Sequence, residues 1–233
     1  MRLISLAVAA GALLACSSGG SAPVTAAFGA SPVVIELYQS QGCSSCPPAN
    51  AALNQIAADP NVLALSFAVT YWDQLGWKDG FAKPEFTQRQ YDFAHAAGGD
   101  RVFTPQFVIN GVSAGSAASS LRAAAAKAGS PKGGPRLAVS GGAVEIGAAK
   151  AQTSATVWQV TYDPRVRNVA IKAGENGGRT LPHRNIVIQL KALGTWTGPA
   201  RHFALAPPND PALRRAIFIQ SGKGGPIIAA RKI

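Results

Sequence analysis

The chain has 233 residues, 47% of them hydrophobic and 14% charged, which excludes a disordered chain and supplies enough apolar side chains for one large core or two small ones. Its net charge of +11 is uneven: residues 1–130 carry seven basic and seven acidic side chains, whereas residues 131–233 carry fifteen against four. After the N-terminus, no apolar run approaches the roughly 20 residues that span a bilayer, which excludes a polytopic helical membrane protein.

The first sixteen residues, MRLISLAVAAGALLAC, read as a bacterial export signal, with Arg2 as the charged start and Leu3 to Leu14 as the apolar stretch. Leu13-Leu14-Ala15-Cys16 resembles a lipobox, in which Cys16 is lipidated and becomes the mature N-terminus. The alternative is an ordinary signal cut further on, among the small residues up to Ala30. Residues 17–31 read as a linker. The expected location is therefore exported and periplasmic, with a lipid anchor to the outer membrane through Cys16 as the only membrane contact.

Val33 to Tyr38 is a short strand rich in β-branched residues, and Ala49 to Ala58 an alanine-rich helix closed by Asp59-Pro60-Asn61. Val62 to Thr70 is a second, continuously apolar strand, giving a β-α-β unit with a parallel pair. An aromatic stretch with Gly and Pro follows, and contains a helix from about Glu85 to Ala97. Phe103 to Val112 reads as strand, turn, strand about Asn110-Gly111, a strong hairpin signal. Residues 116–128 form a further helix. The run Gly129 to Pro135 marks a boundary, beyond which six or seven alternating or apolar segments predict a small β sandwich or barrel. The organisation expected is an α/β domain over 32–130 followed by a smaller all-β, sandwich-like module over 131–233.

Cys43 and Cys46 carry the chemistry. A Cys-x-x-Cys pair between a strand and a helix places the first sulfur where helix amides favour a thiolate, and the second within disulfide reach. With Cys16 assigned to the lipobox, no cysteine remains for a structural staple. Zinc needs a second cysteine pair or two histidines, and His95, His183 and His202 are not spaced as ligands; no metal and no cofactor beyond the disulfide is expected. Thr104-Pro105 opens a strand, where proline cannot donate to the ladder. In thioredoxin-like folds a cis-proline at this place faces the dithiol and leaves backbone groups free to pair with a substrate chain; with the Cys-x-x-Cys junction and the Asn110-Gly111 hairpin in the same order, residues 32–130 are expected to be an α/β thioredoxin-like domain, and an edge-strand proline is the alternative reading.

ELYQSQGCSSCPPAN, SFAVTYWDQLGWKDGFAKPEFTQRQ, FTPQFVINGV, VWQVTYDPRV, GENGGRTLPHRNIV and LGTWTGPA resemble the thioredoxin-like domain-of-unknown-function family 1223 of exported bacterial proteins. The resemblance runs from about Val33 to the C-terminus and implies a fold type but no established reaction. The shared positions it implies are the two cysteines, Tyr71-Trp72-Asp73, Gly76 to Asp79, Thr104-Pro105-Gln106, Gly174-Glu175-Asn176 and Gly178-Arg179.

The expected activity is thiol–disulfide exchange with a protein partner in the envelope. Cys43 is the exposed attacking thiolate, Cys46 the resolving thiol, and Ser44 and Ser45 tune the sulfur through their hydroxyls. Tyr71, Trp72, Trp77 and Gln106 form the candidate substrate surface, and Asp73 a candidate proton carrier for the resolving thiol; the aromatics equally serve as a cap on the core. GENGGRT reads as an anion or peptide site, or as a hairpin loop with a local ion pair. His183 and His202 read as hydrogen-bonded or exposed. Arg165, Arg167, Arg179, Arg184, Arg214 and Arg215 are candidates for an anionic envelope surface rather than nucleic acid. Two other readings stand beside this one: a non-catalytic envelope binding protein with a structural disulfide, and a copper-handling redox protein, since a dithiolate suits Cu(I).

Overall fold

A computed structural model describes residues 30–233, so the expected export segment 1–16 with Cys16, and most of the linker 17–31, lie outside the described residues. Val33–Gln39 (β1) is buried along its whole length because helices cover both of its faces. Val33, Ile35 and Leu37 pack against Ala49, Leu53 and Ile56 of helix α1 (Cys46–Ile56). Val34 and Tyr38 point the other way. Strand β2 (Val62–Ala68) lies parallel to β1, register Val33 to Val62, and helix α2 (Pro84–Ala96) places Phe86 and Phe93 on the Tyr38 face.

Helix α1 starts at Cys46, three residues before the alanine-rich run. Pro47 and Pro48 sit in its first turn, where amides have no helical partner, so proline costs nothing there. Strands β3 (Gln106–Ile109) and β4 (Val112–Gly115) form the expected hairpin beside β1. Asn110 and Gly111 both have positive φ, 48° and 83°, as a primed two-residue turn requires. Asn110 is fastened on both sides: its Oδ1 accepts from Val34 N at 2.9 Å and its Nδ2 donates to Gly129 O at 2.8 Å. The Thr104–Pro105 bond preceding β3 is cis. Helix α3 (Leu121–Ala128) closes this half.

The second half is all β, as its alternating segments suggest, but only part of it forms sheets of its own. Its strands are β5 (Leu137–Ser140), β6 (Ala143–Ile146), β7 (Ala155–Asp163), β8 (Arg167–Ala170), β9 (Thr180–His183), β10 (Ile186–Trp196), β11 (Arg201–Ala204), β12 (Arg214–Ser221) and β13 (Ile227–Lys232). Four of them extend the first half into one mixed eight-stranded sheet, β13-β12-β7-β10-β2-β1-β3-β4. The physical reason lies in β2: all seven residues are buried, so both of its edges need partners. β1 covers one edge. At the other, Ser66 N donates to Asn185 O at 2.9 Å, Asn185 Nδ2 donates to Ala64 O at 2.7 Å, and Ile186 pairs with Ser66.

The remaining strands form a three-stranded antiparallel sheet, β11-β6-β5, and a β8–β9 hairpin. The small sheet packs over the extension of the large one through Val144, Ile146, Val157 and the fully buried Trp196, which retains a sandwich-like layer. The molecule is thus a mixed α/β fold with a large mixed sheet and additional antiparallel sheets. Among the described residues no helix is long and apolar enough to cross a membrane.

Candidate functional site

β1 delivers the chain into the turn Ser40–Cys46. Gly42 N donates to Ser40 Oγ at 3.1 Å, Cys43 N to Ser40 O at 3.2 Å and Cys46 N to Cys43 O at 3.2 Å, so the backbone doubles back twice before α1 begins. Cys43 and Cys46 are joined by a disulfide, with their Cα atoms 5.4 Å apart. Ser45 Oγ lies 3.3 Å from Cys43 Sγ, the hydroxyl contact expected of the intervening serines.

One expectation is corrected here: Cys43 is not exposed. Both cysteines are fully buried, while Ser44 and Ser45 between them are open to solvent. The cover comes from the second half, from the GENGGR segment between β8 and β9. Asn176 is itself fully buried, and its Nδ2 donates to Gln41 O at 2.9 Å and to Cys43 O at 2.8 Å. Its Oδ1 accepts from Arg179 Nη1 at 2.7 Å. The Glu175 carboxylate accepts from Ser44 Oγ at 2.6 Å and from Ser44 N at 3.0 Å, bonds that hold its pKa below the ordinary carboxylate range. The segment is therefore neither a free hairpin loop nor an open anion site. It is a strap across the cysteine turn, and its only acid is spent on Ser44.

The aromatic block supports the same turn from the other side. Trp77 Nε1 donates to Gln41 Oε1 at 2.9 Å. Gly174, at φ 72°, meets Trp77 so closely that a Cβ would sit 3.2 Å from the Trp77 Cβ, so the strap and the block interlock at a position built for glycine. Trp72 Nε1 donates to Thr104 Oγ1 at 2.8 Å, and a Cβ on Gly42 would lie 3.7 Å from the Trp72 Cβ. Trp72 thus spans from the cysteine turn to Thr104. Tyr71 and Trp72 also pack on the core beside Phe67 and Phe86, and burial pushes the Tyr71 hydroxyl up to about 12. Gln106 faces inward: its Oε1 accepts from Gln90 Nε2 at 2.7 Å and its Nε2 donates to Ser113 Oγ at 3.1 Å.

Asp73 is half-buried and spends Oδ1 on the amide of Asp79 at 3.1 Å. The carboxylate wired to the cysteine turn is Asp79, buried, with Oδ2 accepting from Gln41 N at 2.9 Å and Oδ1 from Phe81 N at 2.9 Å. Gln41 is the hub that sequence reasoning missed. Its amide and side chain bond Asp79 and Trp77 of the aromatic block and its carbonyl bonds Asn176 of the strap, and nothing in its type or spacing announces this.

The arginines marked for an anionic surface are largely engaged. Arg165 pairs with Asp163 at 2.8 Å and Asp210 at 3.1 Å, Arg184 reaches Pro164 O, and Arg215 reaches Ala206 O. His202 is exposed, but His183 is buried with both ring nitrogens unbonded, contrary to the expectation of a partner or of exposure. Among the described residues no group of three or more His, Cys, Asp or Glu is placed to hold a metal ion.

Asp79 and His183 set a pH dependence. Burial pushes the Asp79 carboxyl up from 3.8 to about 6, so the folded state keeps a proton that the unfolded chain has lost. Stability from this group is full below about pH 4 and is lost as pH rises through about 6. Burial pushes His183 down from 6.5 to about 4, so its contribution is full above pH 6.5 and is lost as pH falls through about 4. The two oppose each other over the same window. Asp79→Asn is expected to leave a protein that loses stability, relative to wild type, as pH falls from 6 to 4; His183→Gln should gain it over the same range. Each difference is at most about 3 kcal/mol. Urea midpoints at several pH values check this, and curves parallel to wild type would refute it.

The sequence profile of the family described as "Protein of unknown function (DUF1223)" matches residues 34–220. Curated proteins offer no significant match. Among solved structures, the crystal structure of protein AGR_C_4864 from Agrobacterium tumefaciens is 30% identical, with a TM-score of 0.68 over 89% of this chain and 96% of that one. HBP35 of Porphyromonas gingivalis is 15% identical, with a TM-score of 0.57 over 89% of this chain and 76% of that one, a likeness of fold alone. With a family profile spanning most of its length, the chain belongs to the DUF1223 family.

Proposed function

We propose that the protein is a thiol–disulfide oxidoreductase of the bacterial envelope, built on a thioredoxin-like first half and acting on protein thiols or disulfides. The observation that carries this reading is the Cys43–Cys46 disulfide at the junction of β1 and α1. There, the positive end of the α1 dipole favours a thiolate on Cys43 once the bond is open. In the oxidising direction, a substrate thiolate attacks Cys43 Sγ, the Cys43–Cys46 bond breaks, and Cys46 leaves as a thiolate that takes a proton. A second substrate thiolate then attacks the substrate sulfur of the mixed disulfide. The substrate leaves oxidised by two electrons and the dithiol is reduced. The reverse sequence begins with Cys43 thiolate attacking a substrate disulfide, and Cys46 resolves it.

Asp79 supports this reading better than Asp73 as a carboxyl able to exchange a proton near neutrality, because burial holds it at about 6 and it bonds the cysteine turn through Gln41. Trp72 and Trp77 brace that turn, and the half-exposed faces of Tyr71, Trp72 and Trp77 suit a docking substrate chain. Export with a lipid on Cys16 belongs to the same proposal.

A second reading is favoured by one observation, the complete burial of both sulfurs beneath the strap: a structural disulfide in an envelope binding protein. Equilibration against glutathione and dithiothreitol redox series, with Cys46→Ser run in parallel to capture partners, separates the two. Exchange predicts a potential between about −120 and −270 mV and trapped mixed disulfides. A bond that stays oxidised below about −300 mV and captures nothing makes it structural.

A further inference from the structure

A cavity of about 770 Å³ opens at the far end of β1 from the dithiol, between the β3–β4 turn, the last turn of α3 and the β12–β13 turn. Asn110, which lines it, pairs with Val34 at the start of β1, whereas Cys43 follows the end of that strand. The two sites are therefore separated by the length of β1, on the order of 20 Å. The volume falls within the roughly 300–1,000 Å³ of small-molecule sites. Its lining is mainly apolar, with Ala124, Ile227 and Ile228 inside and Val112, 63% exposed, at the mouth.

Its charge is one-sided. Lys127, Lys132 and Lys150 line it, no carboxylate does, and none of the three is in an ion pair among the described residues. These lysines come from three separate segments: α3, the loop after it, and the chain before β7. Only the fold brings Lys150 to the other two. An apolar hollow with a cationic rim is complementary to a molecule with an apolar body and one anionic end.

We propose that this cavity binds a single-chain acyl carboxylate, the chemistry of a free fatty acid, with the chain against Ile227 and Ile228 and the carboxylate among the three lysines. This site is independent of the redox reading, and its test does not pass through the disulfide.

The test is fluorescence titration of the full protein with dansylaminoundecanoate, followed by displacement with alkyl competitors kept below their micelle concentration. Saturable one-to-one binding is expected, displaced by decanoate and about tenfold more effectively by dodecanoate, as two further buried methylenes predict. Dodecyltrimethylammonium and dodecanol should be at least about tenfold weaker than dodecanoate, because they lack the charge that the lysines select. K127E/K132E/K150E should weaken binding by about tenfold or more with an unchanged circular dichroism spectrum. Val112→Asp, at an exposed position, provides a second variant with the same expected direction should the triple variant misfold. Absence of saturable binding, equal displacement by the cationic chain, or binding unaffected by either variant would overturn the proposal. So would saturable binding of an extended acidic peptide with no competition from acyl chains.

Discussion

Arg89→Leu is expected to lower stability by about 3–5 kcal/mol, read as a large fall in the urea midpoint, because it strands a carboxylate in the core. Arg89 and Glu36 are both buried and meet as a fork, Nε to Oε2 at 2.7 Å and Nη2 to Oε1 at 2.8 Å. The third nitrogen, Nη1, donates to Gln220 Oε1 at 2.9 Å, and Tyr38 donates its hydroxyl to Glu36 Oε2 at 2.8 Å. The ring centroids of Phe93 and Phe218 lie 4.9 and 5.0 Å from the guanidinium carbon, so the charge is enclosed by apolar rings. The pair's attraction raises the Arg89 pKa still further, and the arginine stays charged at any working pH. Removing one partner leaves the other charge unpaired at low dielectric, the costly case; removing both is mild. Glu36→Gln combined with Arg89→Met should therefore recover most of the loss. A single-variant loss below about 1 kcal/mol, or a double variant no better than the single, would mean that the pair is not desolvated as the structure has it. Gln220 sits on β12 and Glu36 on β1, so this group also ties the two halves of the chain through α2.

Local pattern made half of this architecture legible. β1, β2, α2 and the Asn110-Gly111 hairpin follow from apolar runs, proline and turn chemistry, and the cysteines announce their own junction. What pattern alone leaves open is pairing at long range. Glu36 looks anomalous in VVIELYQ, but nothing local says that its partner lies 53 residues away on a helix. β10 has the alternation of an outer strand, yet Ile186 pairs beside β2 because β2 has a bare edge. Alternation reports which face is buried, not which neighbour is bonded. The strap shows the same limit: Asn176 and Cys43 are 133 residues apart. Its glycines and single acid suit a hairpin, an anion loop or a clamp equally well, until the chain is folded. The resemblance to the family did pick out Glu175, Asn176 and Asp79 as positions of interest, but not what they touch.

Asn176→Ala is expected to speed reduction of the Cys43–Cys46 bond by dithiothreitol by about tenfold or more. With both sulfurs covered, a reductant reaches Cys43 only when the strap moves. Asn176 holds it down with two donations, to the Gln41 and Cys43 carbonyls. Without that amide, the Gln41 carbonyl is left unpaired in the closed form but hydrated in the open form, while the Cys43 carbonyl keeps the Cys46 amide, so the penalty falls on the closed form alone. At about 1–3 kcal/mol for the unpaired group, opening becomes easier by that amount, and each 1.4 kcal/mol is tenfold in the open population. Equilibrium stability is measured alongside, so that local opening is distinguished from global unfolding. Glu175→Gln separates charge from cover. Glutamine can still accept from Ser44, but the anion beside the cysteine turn is gone, and that anion opposes a thiolate on Cys43. In the reduced protein, alkylation of Cys43 by iodoacetamide should then shift to lower pH, with a smaller difference at high salt as expected for an exposed charge. If Asn176→Ala leaves the reduction rate within about twofold of wild type, the disulfide is attacked without displacing the strap. The strap would then be a brace for the turn, not a gate. If the rate rises while the Glu175→Gln profile does not move, the strap governs access only, and the thiolate is set by α1 and Ser45 alone.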